Sequence, residues 1–273
     1  MRTRTKKSKR EDTDCNTSTH PGCVTEHDRM IVGMTSSAEP GVIWAPPARV
    51  RGTLAVVTGR GERPPVYERF GRRLSADGYT VAVFEGDADA AAAWLAGVPE
   101  TPRVLVGSDT GAAGVLRVLA QGASADAAIV AGVPVDVSGE QPADAERTAC
   151  PLHLGVLGTA EARTDESVVE ELPGAERLAA ISVPVFAVHG GADAVSPLAR
   201  AQEALSAIGD LELLETVDGL HDALNDQQHR SVAASLVLWL ERLRGADPGA
   251  PVVRTLRQAR GAGVTEAVEA SVA

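Results

Sequence analysis

Residues 104–112, VLVGSDTGA, decide the fold of this chain. An apolar run that is typical of a buried strand leads into the pattern Gly-x-Asp-x-Gly, and the small residues after it favour a helix. Gly107 and Gly111 lie two residues before and two residues after Asp109, where crossing strand and helix backbones leave no room for a Cβ atom. The stretch therefore predicts a sharp strand–turn–helix with Asp109 at its apex.

This strand–turn–helix is a nucleophile elbow, a motif usually written Gly-x-Ser-x-Gly, with aspartate in the central position. Ser108 does not fit that position, because the residues two before and two after it are Val106 and Thr110. Taken alone, the pattern also fits a glycine-rich turn of any α/β protein. Residues further along the chain have to decide between the two interpretations.

Composition limits the classes of function. The chain has 273 residues, 44% hydrophobic and 3% aromatic, so we expect a core built mostly from Ala, Val and Leu. A net charge of −11 argues against nucleic acid as a partner. Cys15, Cys23 and Cys150 have neither disulfide nor zinc spacing, which suits a reducing cytoplasm. No apolar run reaches transmembrane length, so we expect no stable membrane insertion.

Strand-like and helix-like segments alternate along most of the chain. The predicted strands are residues 53–57, 80–84, 103–106, 127–130, 183–188 and 211–217. The predicted helices are residues 66–76, 89–96, 111–121, 197–208 (with Ser196 as N-cap) and 227–242. This alternation predicts an α/β fold in which helices cover both faces of a mostly parallel sheet.

Three segments depart from this alternation. Residues 1–40 lack apolar periodicity, and we expect them to be disordered. Residues 132–182 form a long excursion that is too short for a full helical cap, so we expect a reduced lid inserted in the domain of residues 41–245. Residues 246–273 have little pattern and are expected to form a C-terminal tail.

An acid and a histidine follow later strands in the order that the elbow predicts. Asp193 comes shortly after the strand at 183–188, and His221 shortly after the strand at 211–217. Because the carboxyl ends of parallel strands meet at one edge of a sheet, both should lie near Asp109. Taken alone, Asp193 also fits a helix-capping acid and His221 also fits a histidine of a surface loop. Their joint position favours a catalytic triad in which the acid orients the imidazole and His221 acts as base.

An oxyanion site is predicted in the loop of residues 58–62, TGRGE. Backbone N–H groups of Arg60 and Thr110 are expected to converge on an oxygen near Asp109, and Gly59 belongs to the same predicted site. The alternative is a glycine-rich turn with Arg60 exposed.

We expect neither a metal nor another cofactor. The spacing of His189, Asp193 and His221 gives no support to a metal site.

Residues 50–243 resemble the α/β-hydrolase superfamily, most closely its monoglyceride lipase and lysophospholipase-like (serine aminopeptidase) branch. The matching motifs are VTGRGE at 57–62, VPVFAVHGGAD at 183–193 and GLHDALN at 219–225. The resemblance implies an α/β-hydrolase fold, a small-molecule substrate and catalytic roles for Asp109, Asp193 and His221.

The chain departs from that branch at two positions of the site. Thr58 stands where the branch has histidine, and Asp109 stands where it has serine. Haloalkane dehalogenases and epoxide hydrolases of the superfamily do use aspartate there, but their pattern has tryptophan next, where this chain has Thr110.

Aspartate at the elbow changes the available chemistry. A carboxylate is already ionised at pH 7 and suits displacement at carbon, giving an alkyl-enzyme ester that water then hydrolyses. It suits ester cleavage poorly, because attack on an ester gives an anhydride that collapses backwards. Three functions stay open. They are a hydrolase of a small, mostly apolar substrate (ester, carbon–halogen or epoxide bond), an inactive hydrolase-fold protein that binds a ligand or partner, and a lyase or isomerase with Asp109 as general base.

Overall fold

The computed structural model describes residues 39–135, 141–165, 169–245, 247 and 249–254. Most residues of the expected N-terminal and C-terminal tails lie outside these ranges. Within them, no helix is both long enough and apolar enough to cross a membrane.

Seven strands form one sheet in the described part of the chain. They are β1 (Val42–Trp44), β2 (Gly52–Val57), β3 (Tyr79–Phe84), β4 (Arg103–Ser108), β5 (Ala127–Ala131), β6 (Val185–Gly190) and β7 (Leu211–Thr216). Their spatial order is β1-β3-β2-β4-β5-β6-β7, and every neighbouring pair is parallel except β1 and β3. The predicted α/β fold with a mostly parallel sheet is confirmed.

Helices connect the strands. The helices of the described residues are α1 (Glu68–Ala76), α2 (Ala88–Ala96), α3 (Thr110–Ala120), α4 (Asp144–Arg147), α5 (Pro151–Leu157), α6 (Ala175–Leu178), α7 (Leu198–Leu205) and α8 (His229–Leu243). Short 3₁₀ turns at Pro64–Tyr67 and Ala160–Ala162 complete them. The short helices α4, α5 and α6 lie in the excursion between β5 and β6.

Successive residues of the central strands pack on opposite faces of the sheet, as the period of a strand requires. Val106 of β4 belongs to a core cluster that includes Phe70 of α1 and Leu236 of α8. Its neighbour Leu105 belongs to a second cluster that includes Leu116 of α3. Because both faces are covered, the loops at the carboxyl ends of the strands stand on a rigid support.

Two local predictions were wrong. The strand β1 was missed, since three residues carry too little periodicity to indicate a strand. Ser196 does not cap the following helix: α7 begins at Leu198 with Pro197 as N-cap, and the Ser196 hydroxyl donates instead to the carbonyl of Val133. The long-range partner replaces the local one that the sequence suggested.

Candidate active site

The elbow between β4 and α3 holds Asp109 in a backbone conformation that L-residues rarely adopt. Its φ is +49° and its ψ is −125°. The flanking glycines are a steric necessity, because a Cβ on Gly107 would lie 2.3 Å from the carbonyl oxygen of Gly111, and one on Gly111 would lie 2.4 Å from that of Val57. Strained backbone of this kind concentrates at functional sites.

The three predicted triad residues meet at the carboxyl edge of the sheet. Nδ1 of His221 lies 2.8 Å from Oδ2 of Asp193, and Nε2 of His221 lies 3.3 Å from Oδ1 of Asp109. Asp193 is in the loop after β6 and His221 in the loop after β7, as predicted. All three side chains are buried, with Asp109 2% exposed and His221 1% exposed.

Asp193 is held firmly by groups other than His221. Its Oδ1 accepts hydrogen bonds from the backbone N–H groups of Val195 and Ser196, both at 2.9 Å. Its Oδ2 also lies 3.1 Å from Nε2 of His189. The same nitrogen lies 2.6 Å from the carbonyl oxygen of Ser196, which can only accept, so Nε2 of His189 carries the proton. His189 is thus a second histidine on the same carboxylate.

Arg60 is not exposed, and the alternative that placed it on the surface was wrong. Its side chain is 2% exposed and forms a two-point ion pair with Asp109, with Nε 2.8 Å from Oδ2 and Nη2 2.9 Å from Oδ1. The backbone N–H of Arg60 donates to Oδ2 as well, at 3.1 Å. One oxygen of Asp109 therefore already lies where the predicted oxyanion donor points.

The other two predicted oxyanion residues contribute differently. The N–H of Gly59 donates to Oε2 of Glu62 at 3.0 Å and to the hydroxyl of Tyr67 at 3.1 Å, so it supports its own loop rather than Asp109. A Cβ at this position would lie 2.9 Å from Oε2 of Glu62 and 3.0 Å from Cβ of Asp109, so a larger residue would displace these side chains. Thr110, which is buried, is the first residue of α3 and follows Asp109 directly.

The charges of the site reinforce one another. Burial lowers the pKa of His221, but the carboxylates of Asp109 and Asp193 outweigh it and raise the pKa to about 10. Burial raises the pKa of Asp109, yet His221 and Arg60 together hold it well below its usual range. Near pH 7 two carboxylates therefore face one guanidinium and one imidazolium. His221 cannot accept a proton while Asp109 keeps its charge.

A second buried network adjoins the site and was missed by the sequence analysis. Arg147 of α4 forms ion pairs with Glu62 and Asp222, and Nε2 of His153 lies 2.8 Å from Oδ2 of Asp222. Glu62 and Asp222 stood inside the quoted motifs, Glu62 two residues after Arg60 and Asp222 directly after His221. Arg147 and His153 come from the excursion, where no motif singled them out.

No group of three His, Cys, Asp or Glu side chains in the described ranges is arranged to hold a metal ion.

The sequence matches no family model, and it matches no curated protein. Solved structures resemble the fold at low sequence identity. A monoacylglycerol lipase of Paleococcus ferrophilus superposes with a TM-score of 0.61 at 15% identity, covering 74% of this chain and 97% of the lipase. A soluble variant of the Saccharomyces cerevisiae monoglyceride lipase gives a TM-score of 0.61 at 15% identity, covering 74% and 91%.

A thermostable carboxyl esterase of Bacillus coagulans gives a TM-score of 0.61 at 14% identity, covering 79% of this chain and 98% of the esterase. Identities this low carry information about the fold alone. Together with the strand order and the elbow, they establish that the chain has the α/β-hydrolase fold.

Proposed function

We propose that this protein is a hydrolase of a small, mostly apolar substrate that uses Asp109 as nucleophile, with His221 and Asp193 completing the triad. The observation that carries the proposal is the contact of His221 with both carboxylates, 3.3 Å to Asp109 and 2.8 Å to Asp193, on a strained elbow. A structural ion pair between Arg60 and Asp109 would require neither the strained backbone nor the oriented imidazole. The lipase and esterase neighbours also support a hydrolytic reaction.

In the first step Asp109 attacks a carbon that bears a leaving group. Oδ2 is held by the N–H of Arg60, which leaves Oδ1 as the attacking oxygen. The Oδ1–carbon bond forms as the bond to the leaving group breaks, and the leaving group departs with the electron pair. Nη2 of Arg60, 2.9 Å from Oδ1, has to withdraw for this attack. The product is an alkyl ester of Asp109.

The second step follows from the loss of charge on Asp109. Esterification removes one of the two carboxylates that raise the pKa of His221, so the pKa falls and the imidazole can lose its proton. Neutral His221 then takes a proton from water, which attacks the ester carbonyl carbon of Asp109. Negative charge develops on Oδ2, beside the N–H and Nε of Arg60. Collapse of the tetrahedral intermediate breaks the bond to the alkoxide, which takes its proton from His221 and leaves as the alcohol. Asp109 is left as the acid, and its proton passes to His221, which restores the carboxylate and the imidazolium.

The same charges argue against Asp109 as a general base in a lyase or isomerase. A base works best when its pKa lies near the working pH, and the pKa of Asp109 lies well below its usual range. Ester substrates are disfavoured by the anhydride that carboxylate attack produces. Carbon–halogen and epoxide bonds are therefore the first bonds to test.

A second candidate function is binding without turnover. The observation in its favour is that Arg60 contacts both oxygens of Asp109 inside a buried site. A group so paired attacks only after the pair opens. The two candidates make opposite predictions for covalent chemistry at Asp109.

The test is incorporation of solvent ¹⁸O into Asp109 while the protein turns over short alkyl halides, epoxides and p-nitrophenyl esters. The tryptic peptide of residues 104–117, bounded by Arg103 and Arg117, contains Asp109 and is read by mass spectrometry. We expect label in this peptide after several turnovers. His221→Gln should accumulate the alkyl-enzyme ester on the same peptide, because the second step lacks its base.

Two variants serve as controls for that experiment. Asp109→Asn should abolish turnover. Asp126→Asn should leave turnover unchanged, because Asp126 pairs with Arg103 at the opposite, amino-terminal end of β4. Turnover without label at Asp109 would exclude the covalent route. Ligand binding with no turnover on any substrate and no adduct in His221→Gln would favour the second candidate.

A further inference from the structure

The histidine loop, which runs between β7 and α8 and carries His221, is held on both sides of that residue by one contact with the excursion and one with Asp226 of the same loop. The N–H of Asp222, the residue after His221, donates to the carbonyl oxygen of Arg147 at 2.8 Å. The N–H of Leu220, the residue before it, donates to Oδ2 of Asp226 at 2.8 Å. The position of the imidazole therefore depends on these two anchors.

Both anchors lead to the same short segment of the excursion. Oδ1 of Asp226 accepts hydrogen bonds from the hydroxyl of Thr148 and from the N–H of Ala149, both at 2.8 Å. Arg147, directly before them, supplies the carbonyl for the other anchor. Residues 147–149 thus form the surface on which the histidine loop rests.

The side chain of Arg147 extends this link to the oxyanion loop. Its Nη2 forms an ion pair with Oε1 of Glu62 and lies 3.3 Å from Asp222. The other oxygen of Glu62 accepts from the N–H of Gly59, the residue before Arg60. A chain of direct contacts therefore runs from the oxyanion loop through one guanidinium to the residue beside His221.

This arrangement is costly as a device for stability alone. Arg147 is 1% exposed, and burying an ion pair often stabilises a fold no better than apolar residues of similar volume would. The guanidinium, however, reaches Asp222 through both Nε and Nη2 while Nη2 also pairs with Glu62, and the single nitrogen of an ammonium does not reproduce this planar arrangement. The contacts therefore indicate that Arg147 fixes the positions of the two loops relative to each other.

We propose that Arg147 is a positioning residue that sets the distance between the oxyanion loop and His221. It acts through Glu62 on one side and through Asp222 on the other, and forms no hydrogen bond with Asp109. The inference rests on the proposed function for its catalytic meaning, but its structural consequence, the placement of His221 between Asp109 and Asp193, is measurable without turnover.

The test is the pKa of His221, measured by NMR of ¹⁵N-histidine-labelled protein, in Arg147→Lys. Lysine keeps the positive charge but lacks the planar pair of nitrogens that contacts Asp222, so any change reports geometry rather than lost charge. We expect the pKa to fall by about one unit or more, because the imidazole moves away from the carboxylates that raise it. On a turned-over substrate we expect kcat to fall about 10²-fold with a smaller change in KM.

Arg163→Lys is the matched control. Arg163 belongs to the same excursion, but its side chain pairs with Asp144 and Gln141 inside that segment. The pKa of His221 and the turnover of the Arg163→Lys variant should equal those of the wild type. An unchanged His221 pKa in Arg147→Lys would overturn the inference, whether or not a substrate has been found. A lowered pKa in a protein that turns over nothing would support it while counting against the proposed function.

A second variant covers the case in which Arg147→Lys does not fold. Arg147→Met combined with Glu62→Gln replaces this ion pair by neutral side chains of similar size, and Asp222 keeps its contact with His153. Neutral replacement of a buried ion pair is often tolerated. The same fall in the pKa of His221 is expected, and a wild-type titration in this folded variant would equally refute the positioning role.

Discussion

At the scale of single residues, the decisive feature of the site is a set of four charged side chains that lie far apart in the sequence. Asp109 faces both Arg60 and His221, and His221 faces Asp193 as well. Each pairing stabilises the charged form of its partners in a site from which water is largely excluded. The protonation of His221 therefore reports whether Asp109 still carries its charge.

This charge set predicts how stability depends on pH. The pKa of His221 is about 10 in the folded protein, above the value of about 6.5 expected when unfolded. The resulting stabilisation is full below about pH 6.5 and is lost as the pH rises toward 10. Between about pH 7 and 9.5 we expect the free energy of unfolding from this group to fall by about 1.4 kcal/mol per pH unit.

Urea unfolding across this range measures the effect, with His221→Gln as the comparison. The variant keeps every other titrating group, including Cys150, whose pKa is lowered by Arg69 against the effect of its burial. The difference between wild type and variant therefore isolates His221. Parallel pH profiles for the two proteins would mean that His221 is not protonated in the folded state near pH 7.

At the scale of elements, the elbow depends on how closely α3 passes the strands beside it. A Cβ on Gly107 would lie 2.6 Å from Cα of Ala112 in addition to its clash with the carbonyl of Gly111. These are backbone atoms, so nothing flexible can yield without opening the turn. The elbow is one unit of β4 and α3 rather than a loop between them.

We therefore expect Gly107→Ala to lower the free energy of unfolding by about 3 kcal/mol or more. The matched control is Gly155→Ala in α5, where an added Cβ meets nothing within 4 Å. That variant should gain up to about 1 kcal/mol, because alanine favours the helix. Urea unfolding of both decides the matter. A Gly107→Ala protein within about 1 kcal/mol of wild type would contradict the steric account of the elbow.

At the scale of the whole molecule, two core clusters share one sheet. Alternate residues of the same strands supply both, as with Leu105 and Val106. Neither face can lose its packing while the strands remain in place for the other. The described domain should therefore unfold in one cooperative step.

Tryptophans on the two faces test this cooperativity. Trp239 packs on Phe186 at a ring distance of 5.4 Å on one face, and Trp94 packs on Phe84 at 5.7 Å on the other. In variants that keep only Trp94 or only Trp239, we expect the midpoint of the fluorescence transition in urea to match the midpoint of the circular dichroism transition of the same variant. A fluorescence transition that precedes loss of secondary structure in either variant would show that the two faces unfold separately.

Local pattern accounts for much of what was predicted. Gly107 and Gly111 around Asp109 indicated the elbow, because close backbone packing acts over a few residues. The period of strands and helices indicated the α/β fold, and the order of Asp109, Asp193 and His221 after successive strands indicated that they would converge.

The sequence by itself therefore determined the fold class and the three residues that meet at the sheet edge. Only the tertiary structure decided what those residues contact. Arg60 reaches Asp109 across 49 positions, and Arg147 reaches Glu62 across 85. Such pairs leave no periodicity or spacing in the sequence. They form because folding brings distant loops together in a site where an unpaired buried charge would be costly.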